Sequence, residues 1–158
     1  MNSRELTGGC QCGFIRYRFQ GPPMTVYACH CTHCQKQSSS AFGLSVWVME
    51  EDFTLENGTI TFREVTGDSG RIKRCGFCAQ CGSRVYHCGS AGSDVDGGVV
   101  FSVKGGTLDS ARDLRPVAHI WTRSAHGWLS LEDSDLLVFD TEPESFDEIV
   151  QAYSALSN

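Results

Sequence analysis

The chain has 158 residues and a mass of 17.3 kDa, room for one domain and little more. Hydrophobic residues make up 41%, enough to bury a core, and the formal net charge of -6 argues against nucleic acid or an anionic membrane surface as the main partner. No apolar run approaches the roughly 20 residues of a membrane span, and Met1-Asn2-Ser3-Arg4-Glu5 lacks the apolar core of a secretory signal, so the expected setting is the cytoplasm.

In chain order, the first predicted strand is 13–19, where Ile15, Tyr17 and Phe19 share one face and Gly21-Pro22-Pro23 stops the run. Arg16 and Arg18 share the other face, where solvation is the first reading and an anion contact the second. Further strands are predicted over 25–28, 43–49, 59–63, 84–87, 99–103 and 117–122, separated by turn formers such as Glu56-Asn57-Gly58. The segment 89–98 reads as a flexible connection, with a lid as the alternative. His119 and Trp121 alternate on the last of these strands and Trp128 follows a turn; core packing is their first reading, a wall of a substrate pocket the second. A C-terminal helix is predicted where Phe146, Ile149, Val150 and Tyr153 recur at helical spacing, with Ser145 and Glu148 as a capping box. The expectation is a mainly β domain spanning 1–158 with a short C-terminal helix.

Nine cysteines, about 6% of the chain, are an odd number and fall below the density of a secreted disulfide scaffold. They form short groups: Cys10-Gln11-Cys12-Gly13, Cys29-His30-Cys31-Thr32-His33-Cys34, and Cys75-Gly76-Phe77-Cys78-Ala79-Gln80-Cys81-Gly82. Such spacing in a reducing compartment points to metal ligands, and zinc takes four thiolate or imidazole donors in a tetrahedron. A CxxC turn needs positive φ after its second cysteine, which Gly82 supplies and Ala79 does not, so Cys78 and Cys81 are the better pair and Cys75 a spare. Cys10 and Cys12, also followed by a glycine, complete a closed structural site. Cys29, Cys31 and Cys34 then offer three thiolates, the ligand number of a catalytic zinc with an open position. The alternatives are closure of that site by Cys88, Cys75, His30 or His33, and two disulfides, which the close spacing of Cys10/Cys12 and Cys29/Cys31 disfavours.

With those motifs in view, the sequence resembles the glutathione-dependent formaldehyde-activating enzyme family, also called the centromere protein V/formaldehyde-activating domain. The resemblance is carried by Thr7-Gly8-Gly9-Cys10-Gln11-Cys12-Gly13-Phe14-Ile15-Arg16-Tyr17, Cys29-His30-Cys31-Thr32-His33-Cys34-Gln35 and Phe77-Cys78-Ala79-Gln80-Cys81-Gly82-Ser83, with Pro116–Trp121 and Trp128 similar to a later segment. It implies an Mss4-like β-tent fold with zinc-bridged sheets and two zinc ions per chain: a structural one on Cys10, Cys12, Cys78 and Cys81 and a catalytic one on Cys29, Cys31 and Cys34. It also implies a carbon–sulfur lyase of the S-hydroxymethylglutathione synthase type, with glutathione as co-substrate and a small thiol and an aldehyde as partners. Cys75 and Cys88 depart from the family's ligand positions.

Three thiolates on Zn²⁺ leave a net local charge of minus one, so donors are expected around a bound substrate thiolate; His30, His33, Gln35 and Lys36 are candidates. Ser38-Ser39-Ser40 offers hydroxyls for a carboxylate or simply ends a helix. The rival readings are a non-catalytic zinc-stabilised interaction module and a zinc–thiol enzyme acting on another thiol or electrophile.

Overall fold

Ile15, Tyr17 and Phe19 are fully buried while Arg16 and Arg18 between them are not, which is the two-residue period of a strand with one face inward. The computed structural model describes residues 5–89, 94–95, 98–131 and 135–156. Over them the chain forms β1 (Leu6–Gly9), β2 (Arg16–Phe19), β3 (Thr25–Cys29), α1 (Thr32–Ser38), β4 (Gly43–Met49), β5 (Phe53–Asn57), β6 (Thr61–Thr66) and β7 (Ile72–Phe77). There follow β8 (Arg84–Gly89), β9 (Asp94–Val95), β10 (Gly98–Lys104), β11 (Ala118–Ile120), β12 (Leu137–Val138) and α2 (Asp147–Leu156). This is the mainly β architecture with few helices that the sequence suggests.

Two sheets result. The smaller has the order β1-β2-β5; the larger runs β12-β11-β3-β4-β10-β8-β7-β6, with β9 paired to β10. Antiparallel register sorts the large sheet's side chains into two populations. On one face Val26, Val46, Val48, Val85, Tyr86, Phe101 and Val103 are buried together with Ile15, Tyr17 and Phe19 of the small sheet. Aromatic stacking joins the layers: Phe53 lies 5.0 Å from Tyr17 and 5.3 Å from Tyr86, and Tyr86 stacks on Phe101 at 4.1 Å. The other face carries chemistry. Arg63 pairs with Cys75 and Cys75 with His87, while His87 pairs with Ser102, so these side chains run side by side across four strands. Lys104 pairs with Ser45 and Ser45 with Tyr27, continuing that face toward Cys29.

Helix α2 covers the β3 and β11 end. Ile149 is fully buried, Thr25 Oγ1 donates to the Ile149 carbonyl at 3.2 Å, and Phe146 packs on Trp47 at 4.4 Å. Ser145 Oγ accepts from the Asp147 amide at 3.1 Å, an N-terminal cap made by the predicted serine.

Some expectations are corrected. β1, β5, β7 and α1 lie outside the predicted elements, and the strand expected over 117–122 ends at Ile120 because Trp121 takes a left-handed φ of 59° and a 3-10 turn begins at Thr122. Trp128 is not a core residue; it is 72% exposed. Of the predicted 89–98 connection, residues 90–93 and 96–97 lie outside the described residues, while Asp94–Val95 pair with Gly98 and Val99. No helix among the described residues is long and apolar enough to cross a membrane.

Candidate functional site

The first cysteine cluster lies where the two sheets meet. Cys10 and Cys12 sit in the turn between β1 and β2, and Cys78 and Cys81 in the turn between β7 and β8; their four sulfurs lie within 4.8 Å of one another. Both turns are closed by backbone hydrogen bonds to a glycine, Gly13 N to the Cys10 carbonyl at 3.0 Å and Gly82 N to the Cys78 carbonyl at 2.8 Å, with φ of 79° and 77°. An L residue with a Cβ strains that conformation, and Gly82 is what makes the CxxC at Cys78 the metal-type turn. A tetrahedron with metal–sulfur bonds of about 2.3 Å has edges of about 3.8 Å. Cys10 and Cys12 sulfurs stand 3.4 Å apart, and those of Cys12 and Cys78 3.8 Å. The Ile15 amide donates to Cys10 Sγ at 3.2 Å, and Ser83 Oγ accepts from the Gln11 amide at 3.0 Å, tying the turns together. Four soft donors at tetrahedral spacing fit zinc.

The second cluster is built by β3 running into α1. Cys29 ends the strand, Cys31 is the N-cap whose sulfur accepts from the Cys34 amide at 3.4 Å, and Cys34 is the buried residue of the short helix. Their sulfurs also lie within 4.8 Å of one another, and no fourth His, Cys, Asp or Glu of the described residues completes that group. Gly43, opposite Cys29 in register, lies beside α1, where a Cβ would make ordinary van der Waals contact with Cys34 Cβ at 3.4 Å. Mutual contact keeps the three thiols from ionising independently. Hydrogen bonds with Cys31 and Cys34 push Cys29 up, and those from Cys29 and Cys31 pull Cys34 down.

Around this centre the predicted donors fall into different roles. His30 is fully buried, its Nε2 2.9 Å from His119 Nδ1; burial first, and then His119, pull its pKa down to about 4. Gln35 Nε2 donates to the His30 carbonyl at 2.8 Å and the Ser124 carbonyl at 2.7 Å, holding the helix to the end of β3 and to the 3-10 turn after β11. His33 contacts Asp68 at 3.3 Å. Ser38 Oγ donates to the Cys34 carbonyl at 2.7 Å and Ser39 closes the helix at φ 50°, so these serines end α1. Arg16 pairs with Asp109, and Arg18 with Glu5 and Glu56, which leaves that strand face solvated. Cys75 and Cys88 are buried on opposite faces of the large sheet and join neither cluster.

A cavity of ≈390 Å³ opens from Cys31 and Cys34. Trp121 and Lys36 border it, Gln37 Nε2 donates to Cys34 Sγ at 3.5 Å, and β6 to β8 supply Arg63, Lys73, Cys75, Arg84 and His87. Burial, and then Lys104, hold His87 well below its ordinary pKa. Arg63, Lys73, Arg84, His87, Gln37 and Lys104 escaped the sequence reading. No local pattern marks them: Arg63, Cys75 and His87 become cross-strand neighbours through the pairing of β6, β7 and β8.

Against known proteins, a family model described as "Glutathione-dependent formaldehyde-activating enzyme" matches residues 5–124. No curated protein matches the chain. Among solved structures, a Rhodobacter sphaeroides protein determined in a structural genomics programme is similar at 13% identity, with a TM-score of 0.49, covering 84% of this chain and 98% of that one.

Proposed function

Since the chain belongs to the glutathione-dependent formaldehyde-activating enzyme family and is an enzyme of that glutathione–formaldehyde type, we propose that it joins the two at a zinc ion held by Cys29, Cys31 and Cys34. In the reaction the glutathione sulfur bonds to the carbonyl carbon, the carbon–oxygen π bond breaks, and the thiol proton ends on the new hydroxyl of S-hydroxymethylglutathione. The observation that carries this is the incomplete donor set: three converging sulfurs with an approach from the cavity and no fourth described ligand. When bound, zinc supplies a position for the substrate sulfur and lowers its pKa so that a thiolate exists at neutral pH. The protein's own part is placement. Cys31 and Cys34 are fixed by the α1 cap, Gln37 donates to the Cys34 sulfur, and Gln35 pins the helix over the strand, so the three thiolates need little rearrangement as substrate arrives.

We read the other cluster, Cys10, Cys12, Cys78 and Cys81, as a closed structural zinc site that clamps the small sheet to the large one, in keeping with a β-tent domain. Two zinc ions per chain are expected by elemental analysis. In a direct test, mixing the zinc-loaded protein with glutathione and ¹³C-formaldehyde accelerates the appearance of the S-hydroxymethylglutathione methylene signal over the uncatalysed rate, and Cys34→Ser removes the acceleration. Equal rates with and without protein would refute the assignment.

A further inference from the structure

The net charge of the chain is -6, yet Lys36, Arg63, Lys73 and Arg84 line one cavity, and none has a carboxylate within ion-pair distance among the described residues. Elsewhere Arg16, Arg18, Arg71 and Arg112 each have an acidic partner, Arg74 and Arg123 lie over the rings of Phe62 and Trp121, and Arg115 donates to the Leu114 carbonyl. The one acid lining the cavity, Asp68, is engaged by His33. Two atoms of residues lining the cavity, one on β8 and one on α1, are buried without a hydrogen-bond partner among the described residues: Arg84 Nε, a donor, and Gln37 Oε1, an acceptor. Behind them Lys104, 8% exposed, keeps its Nζ unpartnered as well. Buried polar groups are seldom left unpaired, and several in one place mark where a ligand supplies the missing partners.

We propose that this wall selects the thiol substrate by its carboxylates: Arg84, Lys73 and Arg63 receive two carboxylate groups of one small thiol, and Gln37 Oε1 accepts from its ammonium. The inference rests on reading the Cys29 centre as the place where the thiol sulfur binds. A guanidinium takes a carboxylate through parallel N–H bonds, and a low-dielectric cavity with one sign of charge focuses the field on an incoming anion. Four cations facing one already paired acid exceed what a monocarboxylate or a neutral thiol needs. The requirement for two carboxylates is therefore built into β6, β7 and β8, away from the metal ligands, and it separates glutathione from neutral thiols of similar reach.

The test separates the wall from the metal by using S-methylglutathione, which keeps both carboxylates and the ammonium but has no thiol to ionise. Calorimetry on the zinc-loaded full chain should show saturable binding that weakens about ten- to hundredfold when the two carboxylates are converted to ethyl esters, the loss expected of charged hydrogen bonds. Arg84→Gln should weaken it similarly; since Arg84 is partly buried, Arg63→Gln with Lys73→Gln on the more open strands provides a variant less prone to misfold, and it should raise the KM for glutathione more than it lowers kcat. Equal affinity for the acid and the diester, or an unchanged KM in the double variant, overturns the proposal. Equally tight binding of coenzyme A would assign the wall to phosphates and overturn it too. Failures of the two readings are distinct. Wall-dependent binding of S-methylglutathione without turnover of glutathione and formaldehyde would leave the wall and remove the formaldehyde reaction, whereas equal turnover of glutathione and its diester would remove the wall and leave the reaction.

Discussion

Cys34 and Cys78 are both buried thiols, one in α1 and one in the β7–β8 turn, and they differ in what each holds together. Cys78, fully buried, belongs to the cluster that links the β1–β2 turn to the β7–β8 turn, so loss of its ligand bond is loss of folding energy. Cys78→Ala is expected to abolish cooperative unfolding or lower Tm steeply, while Cys34→Ser keeps one zinc per chain and a Tm within a few degrees of the parent; elemental analysis beside calorimetry reads both. Equal destabilisation by the two changes would make both sites structural. Asp109 gives a pH prediction. Bidentate hydrogen bonding from Arg16, then the Thr7 hydroxyl, lower its carboxyl pKa in the folded chain. A depressed folded pKa contributes stability that is complete above the unfolded value of about 3.9 and disappears as pH falls through the folded value. The pair is 38% and 49% exposed, so screening holds the contribution to about 1 kcal/mol or less. Asp109→Asn should therefore cost that much at pH 7 and progressively less as pH falls below the unfolded value, by urea titration at each pH; a cost that does not shrink in acid would contradict it.

Among the elements, α2 has one fully buried residue, with Ala152 and Tyr153 partly buried beside it. Ile149 is fully buried against the cluster that holds Cys29 and Cys34, and Phe146 lies on Trp47. Ile149→Ala is expected to cost about 2–5 kcal/mol, from lost burial and an incompletely filled cavity. Chemical denaturation measures it, and a cost below about 1 kcal/mol would mean that the helix is not docked through this residue. This helix was legible in the sequence because its apolar residues repeat at helical spacing, and β2 and β4 because theirs alternate. Helix α1 was not: over Thr32–Ser38 it has one buried residue, Cys34, and no apolar stripe, so capping by Cys31 and attachment through Gln35 define it. β5 is largely exposed and β7 reads Ile72-Lys73-Arg74-Cys75-Gly76-Phe77, so pairing of β5 with β2 and of β7 with β6 and β8, rather than an apolar face, makes them strands. The cysteine groups stood out because metal ligands are confined to short spacings. The basic wall did not, since Arg63, Lys73 and Arg84 become neighbours only through the register of β6, β7 and β8.

At the scale of the molecule, an acidic chain gathers four cations that have no acidic partner among the described residues at one opening. Attraction of a dicarboxylate to that opening is screened within about 10 Å at 0.1 M salt. Raising ionic strength is expected to raise the KM for glutathione while leaving kcat nearly constant, and a flat KM would mean that the cavity's charge plays no part in capture. The two sheets, packed through Tyr17, Phe53, Tyr86 and Phe101 and meeting again at the first cysteine cluster, hold the second cluster at the mouth of this cavity. That arrangement leads to one central claim: the thiol of glutathione completes the ligand set of Cys29, Cys31 and Cys34. Cobalt substitution followed by titration with glutathione tests it most directly. A tetrahedral spectrum that gains sulfur-to-metal charge-transfer intensity on glutathione addition, but not with the serine-for-cysteine analogue of the tripeptide and not in Cys34→Ser, is the expected result; a spectrum unchanged at saturating glutathione would contradict it.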